Sequence, residues 1–191
     1  LPFPDSSQLI MIANSFFSSE RMEMRHPVPE DAALIFQRYS SLLEVTRFLG
    51  WPRHQSLADS NAFIRFSDTE WENNHLGPLL CFDRQSGELI GSAGLAMEDQ
   101  RVASTGCVIA PGYWGQGFGT ECLQSMKALA NSMRLLGLLA FVHPENSASI
   151  RMIEKCGFKR DRSRAKEMVF PNLPGAPVVR ADGYGWDSGQ Y

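Results

Sequence analysis

Pro111-Gly112-Tyr113-Trp114-Gly115-Gln116-Gly117-Phe118-Gly119-Thr120-Glu121 places glycine at alternate positions 115, 117 and 119, with a fourth at 112. The apolar run Cys107-Val108-Ile109-Ala110 ahead of it reads as a strand, and Cys122, Leu123, Met126, Leu129 and Ala130 behind it recur at helical spacing. Strand, glycine-rich turn and helix make an anion site. The first helical turn leaves backbone N–H groups without partners, and the helix dipole favours negative charge there. Glycine lets the main chain approach phosphate oxygens and adopt positive φ. The stretch therefore reads as a pyrophosphate cradle. The competing reading, a ligand-free connection, must explain four glycines within residues 112–119. Two familiar nucleotide loops fail on spacing. A P-loop needs Lys-Ser/Thr after its last glycine, whereas Phe118-Gly119-Thr120 follows Gly117. A dinucleotide fingerprint needs two residues between its second and third glycines, whereas Phe118 alone separates Gly117 from Gly119.

At 191 residues, 43% hydrophobic and 20% charged, the chain is sized for one domain with a sizeable core. A net charge of −3 gives no ground for nucleic acid as a partner, and the basic segment Lys159 to Lys166 reads as a solvated strand face. Cys81, Cys107, Cys122 and Cys156 form no C-x-x-C pair, which argues against zinc or any other metal and for free thiols in a reducing compartment, the cytoplasm. No apolar run approaches the length of a membrane span. Residues 1–20 read as an N-terminal extension, mildly apolar around Leu9-Ile10-Met11-Ile12 and without the basic start of a secretory leader; residues 21–191 form the single domain.

Within that domain Arg21 to His26 alternates as a half-buried strand does, and Pro27-Val28-Pro29-Glu30-Asp31 starts a helix carrying Leu34, Ile35, Tyr39, Leu42 and Leu43. Ser56-Leu57-Ala58-Asp59 resembles a capping box before a second helix. Between them, Phe48-Leu49-Gly50-Trp51-Pro52 is either core filler under a loop or one wall of a substrate groove. Leu79 to Phe82 and Leu89 to Leu95 read as a hairpin around Gln85-Ser86-Gly87-Glu88, and Arg101 to Ala110 as the next strand. Leu138 to Val142 is short and uninterrupted, like a buried strand. A helix from Ile150 to Cys156, capped by Gly157, leads to two last strands around Met168-Val169-Phe170 and Val178 to Trp186. The order predicts an α+β fold: a mixed, mostly antiparallel central sheet of about seven strands flanked by helices.

With those elements in place, residues 111–121 resemble the acetyl-CoA-binding motif of the GNAT acyltransferase superfamily. Asn146-Ser147-Ala148-Ser149-Ile150-Arg151 through Glu154-Lys155-Cys156-Gly157-Phe158 resembles its second signature. Together with Met24 to Ala32 they resemble the RimJ/RimL-like branch, whose named members acetylate N-terminal amines of ribosomal proteins. The resemblance implies a three-layer fold and direct acetyl transfer from acetyl-CoA, a co-substrate, to a primary amine. The expected amine acceptor is a protein N-terminus or a small molecule, and the expected enzyme a monomer or homodimer working without metal. It further implies that Val108 and Ile109 offer backbone groups to the pantetheine arm. Trp114, Gly115, Gln116, Gly117, Phe118, Gly119 and Thr120 would hold the pyrophosphate, and Asn146 and Ser149 would contact the cofactor.

Two departures bear on chemistry. The tyrosine that many superfamily members use to protonate the leaving thiolate is replaced by Ile153, which leaves Ser149 as a candidate acid or as a first-turn helix residue. A glutamate frequent in the branch is replaced by Ser104. An α-amine of pKa ~8 is about a tenth neutral at pH 7, against ~0.04% for a lysine at ~10.4, so a site lacking a strong base favours a weakly basic amine. His143 is either a proton relay or a loop histidine with its ring in water, and Glu98 and Asp99 read as turn carboxylates. The missing tyrosine and glutamate also fit a CoA-binding sensor that has lost catalysis.

Overall fold

The alternation in residues 21–26 becomes strand β2 (Met22–Arg25), with Met22 and Met24 fully buried, in a computed structural model that describes residues 17–189. The other strands are β1 (Phe17–Ser18), β3 (Pro78–Asp83), β4 (Leu89–Met97), β5 (Val102–Ile109), β6 (Gly137–Val142), β7 (Lys159–Arg160), β8 (Lys166–Val169) and β9 (Val178–Asp187). The sheet runs β1-β2-β3-β4-β5-β6-β9-β7, with β8 also on β9, and every pairing is antiparallel except β5–β6. The sequence predicts about seven strands and the sheet has nine, because β1 and β7 are two residues each and too short to show a period. Of the N-terminal extension, residues 17–20 are described and contribute β1, while Leu9-Ile10-Met11-Ile12 lies outside the described residues.

Helices cover both faces. α3 (Leu57–Asn74) packs on one, and α4 (Phe118–Ser132) and α5 (Ser147–Lys155) on the other. Strand alternation divides the core between them: Leu80 joins Ile35, Tyr39 and Ile64, while Leu79 and Cys81 join Leu123, Met126 and Ile153. Each Leu, Ile or Met among them, once buried, contributes about 1.5–3 kcal/mol. The capping box before α3 forms, with Asp59 Oδ2 accepting from Ser56 N at 2.9 Å.

The first helix departs from expectation. It breaks into α1 (Ala32–Ile35), a π-helical turn over Phe36–Ser40, and α2 (Leu43–Thr46). Adjacent serines account for the break. Ser40 Oγ donates to Ile35 O at 3.0 Å and Ser41 Oγ to Phe36 O at 2.6 Å, each five residues back, so the turn widens.

The feature that positions the site is a divergence in mid-sheet. β5 pairs with β6 only from Val102↔Gly137 to Ser104↔Leu139; beyond that β5 follows β4 and β6 follows β9. A wedge opens between them. The turn into α4 begins at the end of β5, and α5 begins shortly after β6.

Candidate active site

Gly115 and Gly117 have φ of 72° and 86°, a region open to glycine and strained for other residues. A Cβ at Gly115 would meet nothing within 4 Å, so open space lies over the loop. The first intrahelical bond of α4 is Glu121 N to Gly117 O at 3.0 Å, which leaves the N–H groups of Phe118, Gly119 and Thr120 without intrahelical acceptors. Phe118 contributes main chain only. Its ring is buried edge-on to Tyr113, and the Arg21 guanidinium lies over it, 4.1 Å from the ring centroid. Gln116 Nε2 donates to Gly112 O at 2.7 Å and closes the loop on itself.

Hydrogen-bond parity decides which groups of β5 face the wedge. Ala110 N donates to Ile90 O and Glu98 N to Val102 O, so residues 102, 104, 106 and 108 exchange bonds with β4. Val108 accordingly turns its main chain to Ser92. The outward groups are those of Thr105, Cys107 and Ile109, and the Ile109 carbonyl already accepts from Trp114 Nε1 at 2.6 Å. Trp114 thus braces the exit of β5 while 48% exposed.

Across the wedge, Asn146 caps α5, its Oδ1 accepting from Ser149 N at 3.2 Å. Asn146, Ser149, Met152 and Ile153 line a groove of about 840 Å³ whose floor is β4, β5 and β6. His143 does not line it. The expectation of a ring in water is corrected: His143 is 4% exposed, stacked on Phe48 at 4.7 Å and edge-on to Phe170 at 4.6 Å. Its Nδ1 accepts from Glu145 N at 3.2 Å, so it packs under the wall rather than facing the reaction. Glu98 pairs with Lys166 at 3.6 Å and Asp99 caps Arg101 N and Val102 N; both carboxylates serve the turn.

The opposite wall resolves the two readings of residues 48–52 in favour of the groove. Phe48, Leu49, Trp51 and Pro52 line it, facing Phe63 and Phe66 on α3 and Phe141 on β6. Asn172 pins this loop by donating to Thr46 O and Trp51 O and accepting from Arg53 N at 2.7 Å. The ionisable residues on the groove are Arg53, His54, Asp59, Glu70 and Cys107. Contact with Cys122, together with burial, pushes the Cys107 thiol well above its ordinary range. His54 went unnoticed in the sequence because no local motif marks it.

The family model of the acetyltransferase (GNAT) domain matches residues 21–159. The chain belongs to the GNAT acetyltransferase family. It is 30% identical over 148 residues to the uncharacterized N-acetyltransferase YoaA of Bacillus subtilis (strain 168), covering 75% of this chain and 82% of that protein. Two of the solved structures that share its fold illustrate the likeness. One is RimL, ribosomal L7/L12 alpha-N-protein acetyltransferase, in complex with coenzyme A (TM-score 0.76, 15% identity, 91% of this chain and 98% of that chain). The other is spermidine N-acetyltransferase from Vibrio cholerae with CoA and spermine (TM-score 0.71, 17% identity, 91% and 99%).

As a GNAT protein the chain is an acetyl-CoA-dependent N-acetyltransferase, and its donor half fits that co-substrate. The positive-φ glycines and the start of α4 suit a pyrophosphate, and the outward edge of β5 suits an amide-bearing arm. No group of His, Cys, Asp or Glu among the described residues is placed to hold a metal, and no described helix is long and apolar enough to cross a membrane.

Glu121 ties this GNAT loop to the start of β2, accepting from Ser19 Oγ at 2.7 Å, Arg21 N at 2.8 Å and Arg21 Nε at 2.7 Å. Arg21 Nη1 in turn donates to Gln116 O at 3.0 Å. Burial alone would raise the Glu121 carboxyl, but the bonds from Ser19 and Arg21 outweigh it and hold it below the usual range. The sign follows. This stabilisation is present above the ordinary glutamate pKa of 4.5 and is lost as pH falls through the lower folded value. Glu121→Gln is expected to reduce stability by about 2 kcal/mol at pH 7, with the deficit shrinking toward pH 3. Urea unfolding of both proteins at the two pH values checks this.

Proposed function

We propose that this GNAT enzyme acetylates a primary amine of low basicity, foremost a protein N-terminal α-amine as in the RimJ/RimL-like branch, by direct attack in a ternary complex in the cytoplasm. The observation that carries the reading is the composition of the groove. Ser104 stands on its floor where a carboxylate would supply a strong base, and its Oγ is turned to Ala96 O at 3.4 Å. An α-amine of pKa ~8 tolerates such a site far better than a lysine of ~10.4. A polyamine acceptor is less well served. Asp59 and Glu70 are the carboxylates on the groove, and Asp59 is engaged by Gln55 N and Ser56 N. The aromatic wall instead suits an apolar residue beside the amine.

Within this reading, the N–H groups of Cys107 and Ile109 polarise the thioester carbonyl and Ser149 protonates the departing thiolate. Positioning between the β5 edge and the aromatic wall removes much of the entropic barrier. The sensor reading draws on Ile153, which is 5% exposed and offers no proton. Thiol release from acetyl-CoA decides between them, measured with peptides bearing free N-termini, N-terminally blocked lysine peptides, polyamines and small arylalkylamines, with Ser149→Ala alongside. Peptide N-termini are expected to turn over fastest, and Ser149→Ala to lower kcat. Faster turnover of internal lysines overturns the acceptor assignment. An unchanged kcat in Ser149→Ala removes the acid role. Calorimetric binding of acetyl-CoA with no turnover across the panel establishes the sensor.

A further inference from the structure

We propose that His54 is the proton acceptor for the attacking amine, an assignment that rests on the amine-acetylation reading above. His54 lines the groove from the loop between α2 and α3, and the β5 residues Ser104 to Val108 line the same groove. The chain holds it on two sides. Its backbone N–H donates to Ser40 O at 3.0 Å, and its Nδ1 is 2.9 Å from Ser60 Oγ, whose residue is 0% exposed on the inner side of α3. Trp51 and Phe63 flank the ring, with centroids 5.5 and 6.3 Å away. The assignment takes the tautomer in which Nδ1–H donates to the buried Ser60 Oγ, which leaves the lone pair on Nε2.

The other ionisable groups facing the groove are each excluded as the base. Arg53 stays charged and is fixed through Ser41 O and Asn172. Asp59 is spent on the cap of α3, and Glu70 Oε2 accepts from Asn74 at 3.0 Å toward the far end of that helix. The Cys107 thiol is pushed away from ionisation. β6 and α5 contribute no titratable side chain to the groove. Burial lowers the His54 pKa from 6.5, with Asp59 opposing, so the ring is neutral and able to accept a proton at pH 7.

The step balances. The amine lone pair forms the C–N bond, the C–S bond breaks with its electron pair on sulfur, and the ammonium proton passes to Nε2. The thiolate takes one proton from water, or from Ser149, whose oxygen is then reprotonated by solvent, and the imidazolium returns its own proton to solvent. Amide and free thiol result.

The test is the pH dependence of kcat/KM for the best amine in the panel. Ionisation of the amine near ~8 gives wild type and variant alike a slope of one on the acid side. Below pH 6.5 wild type is expected to steepen to a slope of two, and His54→Gln to keep a slope of one with kcat reduced about 100-fold. Acetyl-CoA affinity, by calorimetry, is expected to stay within about twofold, and added imidazole to restore part of the activity of His54→Gly. Ser60→Ala, which keeps the imidazole but removes its partner, is expected to displace the lower limb, and this holds the test open if either His54 variant is unstable. A slope of two that survives in His54→Gln, with kcat within about threefold of wild type, overturns the assignment alone. A wild type that releases no thiol with any amine overturns the acetylation reading, and this one with it.

Discussion

Gly91→Ala is expected to lower stability by on the order of 3–4 kcal/mol, the largest loss from a single added methyl group in this protein. A Cβ at Gly91 would lie 1.9 Å from the Val108 carbonyl oxygen and 2.9 Å from its carbon. Those atoms are backbone and cannot rotate aside as a side chain would. The close approach has a cause in the neighbouring register. Cys81 pairs with Gly91 and Phe82 with Leu89, so Ile90 is an extra residue, a bulge that presses β4 against β5. Relief of the clash must separate the strands at Ser92↔Val108, next to the edge that faces the wedge. Thermal unfolding is expected to show a drop of about 10 °C, with acetyl-CoA affinity falling as well. Gly87→Ala separates close approach from loss of a glycine as such. Its site has open space and a φ of 72°, so it should cost about 1 kcal/mol and leave binding intact. A Gly91→Ala protein as stable as wild type would mean that β4 and β5 do not meet this closely.

The readable parts of this chain are those in which local chemistry and tertiary role coincide. Glycines at 115 and 117 take the positive φ required by the same loop that is proposed to hold the pyrophosphate, and Asn146 is at once a helix cap and a groove residue. Three features escaped because distant residues decide them. His143 looks like a solvated loop residue until Phe48 and Phe170, both far away in sequence, close around it. The main-chain direction of Val108 depends on parity with β4, which a one-residue change in a bulge reverses. His54 carries no motif, and it lines the groove because Ser60 on α3 and Asn172 hold its loop in place. The π-helical turn was visible in principle, since Ser40 and Ser41 can each satisfy a carbonyl five residues back. Periodicity alone reads through such a turn as continuous helix.

Gly117→Val is expected to raise the Kd for acetyl-CoA by about 30- to 100-fold while the protein stays folded. At a φ of 86° an L side chain costs about 1–2 kcal/mol, and a β-branched one more. A Cβ there also meets Arg21 Nη2 at 3.4 Å, on the guanidinium that ties Gln116 O, and with it the loop, to the start of β2. The strain is relieved by turning the peptides around Gly117 out of the left-handed region. That turns N–H groups away from the anion and disorganises the start of α4, where Phe118, Gly119 and Thr120 present theirs. Each tenfold in Kd corresponds to about 1.4 kcal/mol, so the expected range is the loss of one or two charge-assisted hydrogen bonds. If the loop holds the donor as proposed, the effect should fall on binding and leave kcat at saturating acetyl-CoA within about threefold, since the acetyl group would react elsewhere in the groove. Gly112→Ala is the control. It lies in the same stretch with no atom within 4 Å of its Cβ and no positive φ, and its Kd should stay within about twofold of wild type. Calorimetry on the three proteins decides the matter. Unchanged affinity in Gly117→Val would remove the loop from the donor site and leave the helix start alone to account for the pyrophosphate.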